Sequence, residues 1–359
     1  MKVVITGGGT GGHIYPALSI AQQLRQSGAE LLYIGSGHGP EGALAEQEGF
    51  RFIAVPSGPI AGMSLRTVQS LGKLSIGMMK AYSILRDFRP DVLVGTGGYT
   101  SAGVAFAEWM RHGRVVIHEQ NSIPGRTNRF LARLARSVCV TFEESVRYFP
   151  AGKTIVTGLP VRPEIAAGMN KGTARKLLGL ALDKFTVLVF GGSQGAKRLN
   201  EIVLDAIPTL LNKNLQVLHQ TGKKNYDEVV SRQPEGGSYF IRPYIDKMAA
   251  AYASADLVVS RSGASSIAEI TVCGLPAILV PYPYAQADHQ TKNAEVISRP
   301  GAALVLEEHG ATGSILAEMI LDLIDDPARL ERMAHASKSL GRPDATDEIV
   351  RVIQEAAGF

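Results

Sequence analysis

Val3-Val4-Ile5-Thr6-Gly7-Gly8-Gly9-Thr10-Gly11-Gly12-His13 opens the chain, and Val187-Leu188-Val189-Phe190-Gly191-Gly192-Ser193-Gln194-Gly195 repeats its plan in the second half. In each, a short apolar run passes directly into a glycine-rich turn and then into a segment of helical period, the signature of a strand feeding a helix. Working outward, further apolar runs bounded by Gly or Pro predict strands at 2–6, 31–34, 92–95, 114–118 and 137–140. The second half predicts them at 186–190, 216–219, 239–242, 257–260 and 277–280. Their alternation with helical segments predicts an α/β protein built of parallel sheets covered by helices on both faces. The two halves read as tandem doubly wound, Rossmann-like domains facing a central cleft. Gly158-Leu159-Pro160-Val161-Arg162-Pro163 punctuates the chain where they would join.

With 359 residues the chain exceeds one comfortable core, which also points to two domains. At 45% hydrophobic, 19% charged and 6% aromatic, it is neither a disordered tail nor a disulfide scaffold. Cys139 and Cys273 lie far apart in apolar surroundings, so a reduced compartment is expected and neither spacing suggests zinc. The net charge of +4 conceals an asymmetry: residues 1–160 carry 16 Lys and Arg against 10 Asp and Glu, and the remainder 21 against 23. The first half therefore favours anionic company, but its cations lack interleaved stacking aromatics, which argues against nucleic acid. No secretory signal is read after Met1-Lys2, and the uncharged stretch 3–24 is too interrupted by glycine, histidine and proline to span a bilayer. A last helix over 344–357, with Ile349, Val350 and Ile353 on one side, is expected to return to the first domain.

A turn that brings backbone N–H groups against a phosphate needs residues without a β-carbon, and the following helix start adds positive potential. Both glycine turns meet that need. The first fits Gly-x-Gly-x-x-Gly at Gly7, Gly9 and Gly12, yet the acid a nicotinamide site wants at the end of the second strand is missing, since Glu30 precedes that strand. The Walker pattern fails too, with His13 where lysine would stand. Close packing of helix on strand would explain either turn alone; two at matching positions favour an anionic ligand. His13, in the first helical turn, feels a dipole that disfavours imidazolium and so suits a proton acceptor. Gly97-Gly98-Tyr99-Thr100-Ser101 and His118-Glu119-Gln120-Asn121 also follow strands, on the side where open α/β sheets bind ligands. Glu119 is expected to orient His13 or polarise an incoming hydroxyl, and Asn121 to address a sugar. In the second half, Glu269 suits ribose hydroxyls, while Arg261-Ser262-Gly263-Ala264 and Asp288-His289-Gln290-Thr291-Lys292-Asn293 form polar clusters after strands. A solvated helix start capped by Asp288 is the plainer account of the last.

These blocks, together with Gly191-Gly192-Ser193-Gln194-Gly195-Ala196 and Asn293-Ala294, resemble the MurG family of inverting glycosyltransferases over essentially the whole length. The resemblance implies the GT-B architecture and transfer of N-acetylglucosamine from UDP-GlcNAc to the C4 hydroxyl of undecaprenyl-pyrophosphoryl-N-acetylmuramyl-pentapeptide, turning lipid I into lipid II. It implies an acceptor and membrane-associating domain over 1–160 plus 342–359, and a UDP-GlcNAc-binding domain over 161–341. His13 and Glu119 would be catalytic. Ser193, Gln194 and Gly195 would meet the diphosphate, Glu269 the ribose, and the backbone at Ile245 the uracil edge. Asn200, Arg261, Ala264, His289 and Gln290 would help hold the donor, with Thr10, Gly11, Gly12, His13, Asn121 and Arg162 reaching it from elsewhere. His289 stands where the family often has glutamine. Tyr99 and Asn128 would lie on the acceptor side.

Displacement at an anomeric carbon needs a base on the attacking hydroxyl and positive potential at the departing diphosphate. Helix starts supply the latter, and no Asp-x-Asp motif occurs, so no dedicated metal site and no further cofactor are expected. A polyprenyl-linked acceptor accounts for the basic first half. The stretch 64–89 combines Leu71, Leu74, Met78, Met79, Tyr82 and Leu85 with Lys73, Lys80, Arg86 and Arg89, and Trp109 follows beside Arg111 and Arg114. Apolar residues rimmed by cations suit an anionic membrane, although much of such a stripe is core in any amphipathic helix. Leu74, Met78, Tyr82 and Trp109 are the expected lipid-facing residues. A peripheral place on the cytoplasmic face of the inner membrane follows, with other cell-wall synthesis proteins as partners. A UDP-GlcNAc 2-epimerase on the same scaffold, or a non-catalytic nucleotide-binding scaffold, are the alternatives.

Overall fold

The computed structural model describes residues 1–58, 65–234 and 237–359, with the side chains of 65–74 outside that description. The chain divides into two compact units, Met1–Pro160 with Asp344–Phe359, and Val161–Pro343.

The first unit holds a seven-stranded sheet: β1 Lys2–Gly7, β2 Glu30–Ser36, β3 Arg51–Val55, β4 Val92–Gly97, β5 Val115–Glu119, β6 Ser137–Val140 and β7 Thr154–Val156, in the order β3-β2-β1-β4-β5-β6-β7. Every pairing is parallel, with Val3 opposite Leu31 on one side and Val92 on the other. The second unit holds a six-stranded sheet: β8 Phe185–Phe190, β9 Leu215–Gln220, β10 Tyr239–Arg242, β11 Leu257–Ser260, β12 Ala277–Leu279 and β13 Ala303–Val305, in the order β10-β9-β8-β11-β12-β13 and again parallel. Strand order reverses at β1/β4 and at β8/β11. Both glycine turns, after β1 and after β8, therefore leave the sheet at a topological switch point, where adjacent crossovers diverge and open a crevice.

Central strands are buried on both faces, as parallel sheets require: all six residues of β4 and of β9 and all five of β5 are buried. Alternation sorts the side chains. Val3 and Ile5 join Leu18, Leu24, Ile349 and Ile353 on one face of the first sheet, while Val4 and Leu93 join Leu85, Val104 and Leu131 on the other. The helix Ala345–Ala357 is thus part of the first unit's core, although the whole second unit, Val161–Pro343, comes between it and the rest of that unit in sequence. Gln23 Nε2 donates to Asp347 Oδ1 at 2.6 Å and Arg114 Nη1 to the Ala357 carbonyl at 2.7 Å, fixing its start and its end.

The sequence leaves out three strands, β3, β7 and β13. All lie at sheet edges, where one neighbour is missing and the residues are mostly only half buried, so their apolar runs are short and diluted. No helix among the described residues is long and apolar enough to cross a membrane.

Because Ile353 is fully buried against the first sheet, Ile353→Ala should cost about 3 kcal/mol through lost burial and the cavity left behind. Urea denaturation of the parent and variant measures it; a loss below about 1 kcal/mol would show that the terminal helix contributes little to that core.

Candidate active site

Each unit presents a glycine turn followed by a helix start. In the first, Thr10 is the extended N-cap of the helix Gly11–Gln26 and makes no side-chain cap, so the helix start is not closed by its own hydroxyl. Thr10 and Gly12 are exposed. A β-carbon on Gly98 would sit 2.5 Å from the Gly8 carbonyl oxygen, so the turns after β1 and β4 touch backbone to backbone.

His13 lies in that first helical turn, half-buried, with Thr96 Oγ1 donating to its carbonyl at 2.8 Å. Its ring partner is Gln120. Gln120 Nε2 donates to the Thr96 carbonyl at 2.7 Å and lies 3.2 Å from His118 Nδ1, which turns Oε1 towards His13 Nδ1 at 3.0 Å. An amide oxygen only accepts, so His13 Nδ1 carries the proton and its Nε2 keeps the lone pair. His118 in turn donates from Nε2 to the Gly158 carbonyl at 2.9 Å. Burial holds its imidazole well below the usual range, at about 4, against the pull of the Gly158 bond, and the neighbouring His13 ring acts in the same direction as burial.

Glu119 is placed differently from the sequence expectation. Strand alternation sends it to the opposite side of the chain from His118 and Gln120, where its carboxylate is enclosed by the following loop. Oε1 accepts from the Asn121 N–H at 2.9 Å, and Oε2 accepts from the Gly125 N–H at 3.2 Å and from Asn128 Nδ2 at 2.9 Å. Burial raises its pKa, and these donors oppose the rise. Its evident work is to shape the loop carrying Asn121. Asn128 is buried with its Oδ1 unpaired among the described residues, whereas Tyr99 is exposed at the start of the helix Tyr99–Met110.

In the second unit, Ser193 and Gln194 are exposed ahead of the helix Lys197–Leu211, again without a side-chain cap. Gly195 has φ +75°, and a β-carbon there would overlap the Thr221 carbonyl. Asn200 does not face outwards: Nδ2 donates to the Thr221 carbonyl at 2.9 Å and Oδ1 accepts from His219 Nε2 at 3.1 Å, so it braces the turn. Burial drives His219 down to about 3. The Ile245 N–H donates to Gln220 Oε1 at 2.8 Å. Arg261 is also structural, its guanidinium donating to the Val280 and Pro281 carbonyls at 3.0 and 3.1 Å and pairing with Glu308. Ala264 is buried at the uncapped start of the helix Ala264–Cys273.

Glu269, one turn on, is gripped by Arg162, with Nε and Nη2 both 3.1 Å from Oε1, and by Tyr252 Oη, which donates to Oε2 at 2.8 Å. Gln290 Oε1 accepts from the Tyr282 N–H at 3.0 Å, and His289 Nδ1 lies 2.7 Å from the Gln286 carbonyl. Asp288 occupies the N-cap position of the helix His289–Ser298 without a side-chain cap bond. Among the described residues no three His, Cys, Asp or Glu side chains converge as a metal site would need.

Of the expected lipid-facing residues, Leu74 lies outside the described side chains. Met78 packs half-buried against the core, while Tyr82 and Trp109 are 40% and 42% exposed. Leu85, in the same stripe, is fully buried. Met110 and Phe130, which the sequence reading missed, are also exposed, and the Phe106 ring bridges Trp109 and Phe130.

Residues 3–140 match the glycosyltransferase family 28 N-terminal domain and residues 186–349 the family 28 C-terminal domain. The UDP-N-acetylglucosamine--N-acetylmuramyl-(pentapeptide) pyrophosphoryl-undecaprenol N-acetylglucosamine transferases of Desulforamulus reducens and Halothermothrix orenii are each 42% identical to the chain. The alignments cover 99% of this chain, with 98% and 99% of the respective relative. The crystal structure of Acinetobacter baumannii MurG superposes with a TM-score of 0.82 at 30% identity, covering 99% of both chains. A UDP-GlcNAc 2-epimerase from Neisseria meningitidis shares the fold, with a TM-score of 0.69 at 14% identity over 99% of this chain and 100% of that one.

His219 is neutral in the folded state over a range where the unfolded chain, at about 6.5, takes up a proton. Its contribution is therefore complete above pH 6.5 and falls by up to about 1.4 kcal/mol per pH unit as acid is added towards pH 3. The urea midpoint of His219→Gln should accordingly lie furthest below the parent's at pH 7 and approach it by pH 5. A gap that stays constant with pH would contradict a neutral buried ring.

Proposed function

The chain belongs to the MurG glycosyltransferases of family 28, and from that premise we propose a division of labour in which the second unit grips UDP-GlcNAc and the first presents the acceptor to His13. The reaction is transfer of N-acetylglucosamine to the C4 hydroxyl of the undecaprenol-linked muramyl pentapeptide. His13 Nε2 takes the hydroxyl proton as the new C–O bond forms at the anomeric carbon and the bond to the diphosphate breaks. The leaving UDP carries the electron pair away, and attack from the opposite face inverts the centre. The turn 191–196, exposed at Ser193 and Gln194, and the start of the helix Lys197–Leu211 stabilise the charge developing on the diphosphate through backbone N–H groups and helix polarity.

The observation that carries this reading is the Gln120 amide. It is held by Thr96 and His118 with its oxygen on His13 Nδ1, which leaves Nε2 as the basic atom. Arg162 and Tyr252 preset the Glu269 carboxylate for ribose hydroxyls, which would have to share it with these donors. The exposed Tyr82, Met79, Trp109, Met110 and Phe130, on a unit that also exposes Lys80 and Arg86, support docking to an anionic bilayer. Each basic residue at such a surface contributes about 1 kcal/mol. A peripheral place on the cytoplasmic face of the membrane follows from a lipid-linked acceptor and a nucleotide-sugar donor.

His13→Ala should lower kcat by about 10²- to 10⁴-fold, the range of general base catalysis, with UDP-GlcNAc affinity little changed. Gln120→Leu should lower kcat by about tenfold or more through loss of ring orientation. Transfer of labelled GlcNAc to a lipid-linked muramyl acceptor measures both. Unchanged turnover in His13→Ala removes His13 as base, and conversion of donor to the 2-epimer without acceptor would replace transfer by epimerisation.

A further inference from the structure

Gln220, the last residue of β9, is 3% exposed and bridges two segments that sequence resemblance connects with different parts of the donor. Its Oε1 accepts from the Ile245 N–H at 2.8 Å, and its Nε2 donates to the Gly192 carbonyl at 3.2 Å. That carbonyl also accepts from the Gly195 N–H at 3.0 Å, closing the glycine turn on itself. One planar amide thus holds the turn after β8 at one end and the loop after β10 at the other. The two ends of a primary amide are fixed relative to each other, so a shift at Ile245 is carried to Gly192.

We propose that Gln220 is a positioning residue that couples nucleobase recognition at the Ile245 loop to diphosphate recognition at the glycine turn. The proposal rests on the reading that the second unit holds the uridine diphosphate. A base seated against the Ile245 loop holds that loop, and with it the N–H that Gln220 accepts, in place. The amide responds as a unit, and its other end resets the Gly192 carbonyl and with it the N–H groups of 191–196. Uridine without any phosphate then changes the turn that phosphate uses. By thermodynamic reciprocity, a diphosphate group strengthens base binding by the same factor. The Thr221 N–H also donates to the Arg242 carbonyl at 3.0 Å, a backbone bond that a change at Gln220 leaves in place.

Amide hydrogen exchange on the full chain tests the proposal, with uridine and UDP as probes. In the parent, saturating uridine should slow exchange in both 191–196 and 244–248, by about fivefold or more in the turn. In Gln220→Met, uridine should still protect 244–248, while its effect on 191–196 falls below about twofold. Gln220→Glu keeps an acceptor for Ile245 but has no donor for Gly192, so it should behave as Gln220→Met does and serves where that variant fails to fold. Uridine that protects 244–248 alone in the parent, or protects the turn equally in either variant, overturns the coupling while leaving donor binding intact. If UDP protects neither segment in the parent, the reading of the second unit as the donor site fails, and the proposal with it.

Discussion

At the end of β8 the chain must turn from strand to helix while lying against the backbone of the neighbouring strand's exit. No β-carbon fits there: one on Gly195 would overlap the Thr221 carbonyl, and one on Gly222 would overlap the Gln194 carbonyl. The first unit solves the same problem at Gly8 and Gly98. Such contact fixes the two turns without side chains in between, so the helix that follows begins with N–H groups uncovered. His13 stands in the first turn of the helix that follows one of these contacts, and Gln120, which bonds its ring, just beyond the end of β5.

Buried, uncharged histidines hold these strand ends in register. In the first unit His118 links the Gly158 carbonyl to Gln120, and Gln120 orients His13. In the second, His219 links Tyr239 to Asn200, which secures Thr221 under the glycine turn. A ring that can both donate and accept joins two partners across a sheet, provided that it stays neutral, and burial ensures that it does. The half-buried His13 stands at the end of one such chain, its ring oriented by Gln120.

The central strands were legible because parallel strands covered on both faces must be continuous apolar runs, and the glycine turns because only glycine tolerates the contact at Gly195. The edge strands β3, β7 and β13 were not, since half-buried residues leave a weak pattern. In the candidate site, His-Glu-Gln-Asn marks the strand end that meets His13, but chemical expectation picks the carboxylate of Glu119, whereas the amide of Gln120 makes the contact. Period two would have found the partner: residues 118 and 120 share a face, and Glu119 points away from both. The resemblance implies donor contacts for Asn200 and Arg261, whose side chains the structure ties to protein groups. Their bonds to Thr221, His219, Glu308 and nearby carbonyls depend on distant segments that no local pattern reveals. Tyr252, which holds Glu269, lies in a separate helix and had no motif to announce it.

The most direct test is a crystal structure of the chain soaked with UDP-GlcNAc. The account predicts the diphosphate on the turn 191–196, uracil against the Ile245 backbone and ribose hydroxyls on Glu269. Uridine seated on the first unit's turn, with 191–196 unoccupied, would contradict it.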